Sequence, residues 1–348
     1  MLSLFIPIGI LIAASFLVLS SVAMHFFYFQ FLWVILGMGL VALFTFLDWR
    51  TIFSYRWIVW GLYILSVLLL IFVWLKGPAI RNIHGWIVLG PLRFQPVEFA
   101  KIALILVYAE FFSRRHVAIA HFKNILVSFA FFVVPAFLTA LQPDLGNAVI
   151  LFGIWFGSLL VSGLPPRRIL LAFVIFALGA VLLWSHGLKA YQRERIVGVF
   201  YPQSDAQGIN YSTIQSKIAI GSGGAFGKGY RQGTQTQLHF LSVPESDFAL
   251  AVFLEEWGWV PGLILIGAFL FLVFQILKIG IVADKNFEKF VALGTAMVYG
   301  FQFLINAGST IGLLPVVGVP FPFVSYGGSS LLMSFFLLSL NYGIVQRS

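Results

Sequence analysis

Long apolar runs with hardly a charge alternate with short polar segments along most of this chain. A helix of about 20 apolar residues crosses a bilayer. The pattern therefore predicts ten membrane-spanning helices, near residues 4–24, 29–47, 57–75, 96–113, 125–141, 146–163, 168–186, 247–277, 288–309 and 326–346. One long polar segment, 187–246, separates the seventh span from the eighth. We expect an all-α polytopic membrane protein, a single domain over 1–348 with one large loop.

The composition agrees with a membrane protein. Hydrophobic residues make up 60% of the chain and charged residues only 9%, against roughly 25% in soluble domains. The chain has no cysteine, which excludes disulfides and thiolate-ligated metals. In such a protein we attribute the net charge of +9 partly to topology signals and partly to contact with an anionic substrate or lipid surface. We expect no nucleic-acid partner.

Basic residues predict the orientation, because lysine and arginine concentrate in cytoplasmic loops. The short loops 25–28, 142–145 and 310–325 have none. Both termini are thus predicted to be cytoplasmic and segment 187–246 extracytoplasmic. Every chemically specialised segment then faces outward, which favours an outward-facing enzyme over a transporter. The basic residues on the other side are Arg50, Arg56, Arg114, Arg115, Lys123, Arg167, Arg168, Lys278, Lys285, Lys289 and Arg347.

Asp247 is the first candidate for chemistry. It lies where the long polar segment runs into the apolar residues 248–252, and a carboxylate at such a boundary is costly without a partner or a task. It can cap the following helix or act as a general base, and both roles can hold at once. Glu255 and Glu256, deeper on the same predicted helix, are expected to pair with basic groups.

A second candidate region begins at Gln95 and enters the fourth predicted span. Glu98 and Lys101 lie three residues apart on one helical face, so they can form an ion pair within the membrane. Alternatively, Lys101 faces a cavity that receives a phosphate. The following motif, residues 142–146, is predicted to be a tight turn whose Asp144 caps the sixth span.

The long polar segment contains a glycine-rich run, 221–229, with Ser222, Gly223, Gly224 and Lys228. Clustered glycines expose backbone N–H groups, which together with a lysine can bind phosphate or pyrophosphate. Arg193 and Arg195 add basic charge nearby. The run matches neither a Walker A loop nor a dinucleotide motif, so no nucleotide cofactor is expected. A flexible loop without a ligand is the alternative.

A Pro- and Gly-rich stretch follows Asn306 and contains Ser325 and Tyr326. Irregular backbone near a membrane persists only when it is buried in protein or lines a wet cavity. We therefore expect this stretch to be buried in protein or to line such a cavity.

Together these motifs resemble the SEDS family of bacterial cell-wall polymerases, and the short ends resemble its RodA branch. The resemblance spans about residues 86 to 330 and is carried by 94–101, 142–146, 215–224, 227–235, 247–248, 255–256 and 320–330. It implies polymerisation of lipid II into glycan strands on the outer face of the cytoplasmic membrane, in cell-wall elongation. Asp247 would deprotonate the acceptor hydroxyl, with inversion at the donor sugar and undecaprenyl pyrophosphate as the leaving group.

The resemblance also implies supporting and binding residues. Lys101, Arg193, Arg195 and Lys228, with Ser222, Gly223 and Gly224, are the candidates for the pyrophosphate, and a divalent cation such as Mg²⁺ or Mn²⁺ is a possible cofactor. Gln95, Glu98, Ser246, Asn306, Ser325 and Tyr326 are the candidate supporting residues. The expected partner is a class B penicillin-binding protein. The alternatives are a lipid II flippase or other transporter, a non-catalytic scaffold, and an O-antigen-type polymerase or ligase.

Overall fold

Most residues of the chain are helical, because in lipid a helix satisfies every backbone hydrogen bond within one segment. The computed structural model describes residues 2–80, 83–90, 92–114, 122–162, 165–205, 207–208 and 210–347. Arg115, one of the predicted topology signals, lies outside these residues. The helices are α1 (Leu2–Val22), α2 (Met24–Phe46), α3 (Trp49–Ser54), α4 (Arg56–Lys76), α5 (Pro96–Ser113), α6 (Phe122–Leu141), α7 (Leu145–Val161), α8 (Pro166–Leu182), α9 (Ala190–Phe200), α10 (Tyr211–Ser222), α11 (Thr234–Gln237), α12 (Ala249–Trp257), α13 (Trp259–Val282), α14 (Asn286–Thr310) and α15 (Gly328–Arg347).

Within the described residues, α1, α2, α4, α6, α13, α14 and α15 are long and apolar enough to cross a membrane. Helices α7 and α8 are shorter apolar helices at predicted spans, and a π-helical turn, Leu183–Gly187, extends α8. Helix α5 is buried along nearly its whole length and packs against α4, α14 and α7. The prediction of an all-α polytopic membrane protein is confirmed.

The eighth predicted span, 247–277, is not one helix. It breaks at Gly258, whose φ of 82° ends α12 before α13 begins. A Cβ at Gly258 would collide with backbone atoms of Gly227, Ala225 and Phe226, so only glycine allows this close approach. Pro261 in the first turn of α13 suits a helix start.

The long polar segment is also more ordered than the loop that the sequence predicts. It contains α9, α10 and α11, and a 3₁₀ turn at Pro202–Asp205. Ahead of α5, strands β1 (Ile87–Leu89) and β2 (Leu92–Phe94) form an antiparallel hairpin in which Val88 pairs with Arg93. This hairpin, too short for a periodic signal, was not predicted.

Candidate active site

A cavity of about 720 Å³ opens where α9, α10 and the β hairpin meet the membrane-spanning helices. Its wall is formed by the start of α2, the β hairpin, α9, α10, residues 242–248, and the α14–α15 loop, residues 311–327. Aromatic side chains, among them Phe26, Trp33 and Trp86, share this wall with charged ones. A mainly apolar cleft with a few polar groups is the usual form of a ligand site.

Asp247 lies in this wall, half-buried. Its Oδ1 accepts a hydrogen bond from Ser246 Oγ at 2.9 Å, and its backbone N–H donates to Val243 O at 3.2 Å. Val243 has a φ of 54°, a conformation rare for a β-branched residue and typical of strain at functional sites. The N-cap of α12 is Phe248, so the prediction that Asp247 itself occupies the capping position is wrong.

Two supporting residues, Asn306 and Ser325, hold the main chain around Asp247. Asn306 Nδ2 donates to Asp247 O at 3.1 Å and to Val319 O at 2.9 Å. Ser325 Oγ donates to Ser246 O at 2.5 Å and accepts from Phe321 N. Because the bonds to Asp247 O and Ser246 O join residues 246–247 to α14 and the α14–α15 loop, the main chain that carries the carboxylate is held in place.

Tyr326 continues this attachment. Its backbone N–H donates to Glu245 O at 2.9 Å, and its ring packs on Phe26 with centroids 4.3 Å apart. Burial raises the pKa of Tyr326, with smaller opposing effects of Arg93, which lowers it, and Glu245, which raises it. The phenol therefore stays protonated at neutral pH and can donate a hydrogen bond into the cavity.

Gly318 faces the carboxylate from the α14–α15 loop. A Cβ on it would lie 4.0 Å from Asp247 Oδ2, and its φ of 72° favours glycine. The space beside the carboxylate is kept open by a residue without a side chain.

The cations of the cavity wall are only partly those expected. Arg195 lines the cavity, and its Nη1 donates to Val316 O of the α14–α15 loop at 3.0 Å. Arg93 and Lys217 also line it. Arg193 instead donates to Ser185 O at 3.1 Å and is not part of this wall.

Lys101 and Glu98 form the ion pair that the sequence offered as one alternative. Their Nζ and Oε1 atoms are 2.8 Å apart, and both side chains are at most 3% exposed. Nearby, Gln95 Nε2 donates to Asp144 Oδ2 at 2.9 Å, while Asp144 caps α7 by accepting from Asn147 N, as predicted for this turn. Gln95 also touches the cavity, but Lys101 does not, so its phosphate-binding role stays a prediction without support from this geometry.

Lys228 is likewise engaged elsewhere. Its Nζ is 3.0 Å from Glu255 Oε1, and the buried Glu255 also accepts from Gln235 N and from the backbone and hydroxyl of Thr236. The backbone N–H groups of Lys228 and Gly229 donate to Glu255 O and Glu256 O at the end of α12. The expectation that Glu255 pairs with a basic group holds in this structure.

The glycine-rich run packs closely on α12. A Cβ at Gly223 would strike Leu254 O, and Gly224 O accepts from Trp259 N. Ser222 Oγ donates to Ala219 O within its own helix. These contacts attach the run to the helix break, and none of its predicted ligand residues lines the cavity, so their binding role stays a prediction.

Comparisons with known proteins decide the family. The FTSW_RODA_SPOVE family model, described as "Cell cycle protein", matches residues 1–347. The chain belongs to this family. It is the SEDS family of the sequence analysis, so the predicted membership is confirmed. Together with the apolar helices, membership makes the chain a multi-pass protein of the bacterial cytoplasmic membrane.

Relatives of known name and structure agree with this. The peptidoglycan glycosyltransferase MrdB of Escherichia coli is 40% identical over 285 residues, 82% of this chain and 76% of MrdB. RodA of Thermus thermophilus, a rod shape-determining protein, superposes with a TM-score of 0.74 at 29% identity, covering 99% of this chain and 96% of RodA. A chain from a peptidoglycan synthase complex, studied for its coordination of polymerization and crosslinking, gives a TM-score of 0.85 at 31% identity, covering 100% and 97%.

In this SEDS protein, sequence reasoning missed Lys217, Arg93 and Glu245 as cavity residues. Nothing in the immediate neighbours of Lys217 sets it apart. A signal exists for Arg93, because it is a charged residue between Leu92 and Phe94, two positions before Gln95. The placement of Lys217 and Arg93 depends on how α10 and the hairpin pack.

Proposed function

We propose that this protein is a peptidoglycan glycosyltransferase that polymerises lipid II into glycan strands, with Asp247 as general base. The single observation that carries the proposal is the position of Asp247 in the wall of a large cavity that also contains the cations Arg93, Arg195 and Lys217. A base beside cations suits the attack of a hydroxyl on a donor with an anionic leaving group. The family and the name of MrdB supply the sugar chemistry.

In this reaction Asp247 takes the proton of the acceptor 4-hydroxyl as its oxygen bonds to the anomeric carbon of the donor. The bond from that carbon to the pyrophosphate oxygen breaks, and the electron pair leaves with undecaprenyl pyrophosphate. Attack from the face opposite the leaving group inverts the anomeric centre. The backbone bonds from Asn306 and Ser325 orient the base, and Gly318 leaves room for the acceptor.

The cavity and the segments around it face the outer side of the membrane in this proposal, and both termini are cytoplasmic. The distribution of basic residues supports this orientation. The likeness to a chain of a synthase complex supports a class B penicillin-binding protein as the partner, and we propose a role in elongation from the likeness to MrdB and RodA.

A divalent cation, Mg²⁺ or Mn²⁺, fits the residues present. Mg²⁺ is commonly held by one or two carboxylates plus substrate phosphates. Glu245 and Asp247 are the carboxylates of the described cavity wall, and Glu245 would hold such an ion while Asp247 serves as base. When bound, the ion would offset the charge of the pyrophosphate.

The test is chain formation from labelled lipid II by the purified protein with its partner. Replacing a general base costs about 10²–10⁴-fold in rate, so Asp247→Asn should give no visible chains while keeping the thermal unfolding temperature of the wild type. Glu194→Gln removes an exposed carboxylate of the same outer segment that does not line the cavity, and serves as the control. The same assay with EDTA, and then with Mg²⁺ or Mn²⁺ restored, tests the cation.

Chains from Asp247→Asn at the wild-type rate would remove the base from the proposal. If no variant and no wild-type preparation forms chains, while lipid II reorients across vesicles, the transporter alternative gains. If the protein is a non-catalytic scaffold, cells complemented with Asp247→Asn should keep the shape of cells with the wild-type protein.

A further inference from the structure

Lys217 differs from Lys101, Lys228 and Arg195 in its contacts. Lys101 and Lys228 each form an ion pair with a glutamate, and Arg195 donates to a backbone carbonyl. Lys217 is exposed toward the cavity, and among the described residues it forms no hydrogen bond or ion pair. A cation held in a cavity wall without an acidic partner is suited to receive an anion.

The position of Lys217 is fixed by its helix. Its neighbour Ser216 is fully buried and donates from Oγ to Thr310 O at 2.8 Å, which joins α10 to the last residue of α14. Two residues beyond Thr310, Gly312 begins the α14–α15 loop with a φ of 76°. Thr213 and Lys217, one helical turn apart, share the face of α10 that lies over this glycine.

Gly312 makes the space for Lys217. A Cβ there would collide with Cε and approach Nζ of Lys217, and would press on Thr213. Glycine with positive φ is common after a helix, so the helix end explains the conformation of Gly312. It does not explain why the Lys217 side chain occupies the position of the absent Cβ, and this contact gives the glycine a second role.

The same loop therefore presents two glycines of positive φ to two charged groups: Gly318 to Asp247, and Gly312 to Lys217. This arrangement places a base, and a cation without an acidic partner among the described residues, along one loop of one cavity. We infer that Lys217, with its side chain lying across Gly312, binds the pyrophosphate of the lipid-linked donor and stabilises it as it leaves.

The inference rests on the proposed function and deepens it. As the bond from the anomeric carbon to the pyrophosphate oxygen breaks, the leaving group gains one unit of negative charge. The Lys217 ammonium donates hydrogen bonds to that group, so the stabilisation it provides grows toward the transition state. Loss of the ammonium therefore reduces kcat as well as kcat/KM.

The first test compares Lys217→Met with Lys189→Met. Lys189 is an exposed lysine of the same outer segment that does not line the cavity, so its variant removes the same charge. A hydrogen bond to a charged group corresponds to about a 10- to 100-fold change. We expect Lys217→Met to lose this factor in kcat/KM for lipid II, Lys217→Arg to recover part of it, and Lys189→Met to match the wild type.

The second test leaves the lysine in place and removes its space. Asparagine tolerates the left-handed conformation better than other non-glycine residues, so Gly312→Asn keeps the backbone and displaces the side chain of Lys217. Gly90→Asn is the matched control, because Gly90 has a φ of 61° and nothing within 4 Å of its Cβ position. We expect Gly312→Asn to resemble Lys217→Met, and Gly90→Asn to resemble the wild type.

A binding measurement separates this inference from the proposed function. Inorganic pyrophosphate should raise the unfolding temperature of the wild type and of Asp247→Asn, but not that of Lys217→Met. If chains fail to form but this Lys217-dependent stabilisation remains, the proposed function falls and the anion site stands. Wild-type kinetics and pyrophosphate stabilisation in Lys217→Met would overturn the inference.

Discussion

Asp247 and Glu255 belong to one short stretch of chain, yet their surroundings are opposite. Glu255 is fully buried and receives hydrogen bonds from Lys228, Gln235 and Thr236. Asp247 is half-buried, lies in a cavity wall, and has its main chain fixed by Asn306. The Glu255 carboxylate is enclosed by donors within the fold, whereas the Asp247 carboxylate lies in a cavity wall that a substrate can reach.

The comparison is tested most strongly at Glu255. Glu255→Gln removes the charge that balances Lys228 and turns an amide N–H₂ toward backbone donors, which should cost roughly 2–4 kcal/mol of stability. We expect a clearly lower unfolding temperature in detergent, with the kcat of the surviving folded protein near that of the wild type.

Glu256→Gln is the control for this variant, because Glu256 is the adjacent buried glutamate and accepts from Ser21 and Gln237 through a single oxygen. Its loss of stability should be smaller. If Glu255→Gln instead lowered kcat as Asp247→Asn does without lowering the unfolding temperature, the distinction between the two carboxylates would fail.

Asn306→Leu tests the positioning of Asp247. It keeps a similar volume but removes the two donated bonds to Asp247 O and Val319 O. We expect kcat to fall roughly 10-fold with little change in KM, because a small misplacement of a catalytic group lowers the rate rather than binding. The measurement is steady-state chain formation with lipid II.

Ser309→Ala is the matched control for Asn306→Leu. Ser309 is buried in the same turn of α14 and donates to Asn306 O, but it makes no bond to residues 246–247. Equal losses in both variants would show that this turn acts through stability alone.

The smallest effect is expected at Lys228. Lys228→Met removes the partner of Glu255, but the lysine side chain is 25% exposed, so solvent screening limits the loss to about 1 kcal/mol. The kcat/KM for lipid II should not change. A fall in kcat/KM as large as that expected for Lys217→Met would return Lys228 to the substrate site.

The sequence identified the polar residues around Asp247 better than the cations of the cavity. Five residues stand out because each is polar and lies beside an apolar span, and the structure brings all of them together. They are Asp247, Ser246, Asn306, Ser325 and Tyr326. Polar groups at such places need partners, and the partners are each other.

The roles of the basic residues were harder to predict, because the partner of a basic residue is known only from the folded structure. Lys228 and Glu255 are 27 residues apart, and they meet close to the break at Gly258. The break itself had a signal in Gly258 and Pro261, which the apolar character of 247–277 concealed. Lys217 carries no local signal, because its role depends on Gly312, 95 residues further along the chain.

The break at Gly258 also bears on the order in which the protein is made. Helix α12 has nine residues, about 13 Å, too short to enter the bilayer as a span, so it must fold against residues synthesised shortly before and after it. The bonds from 224–229 to 255–260 close a short loop, which costs little entropy. Asn306 and Ser325 leave the ribosome later, so Asp247 reaches its working position only once the last two helices have been inserted.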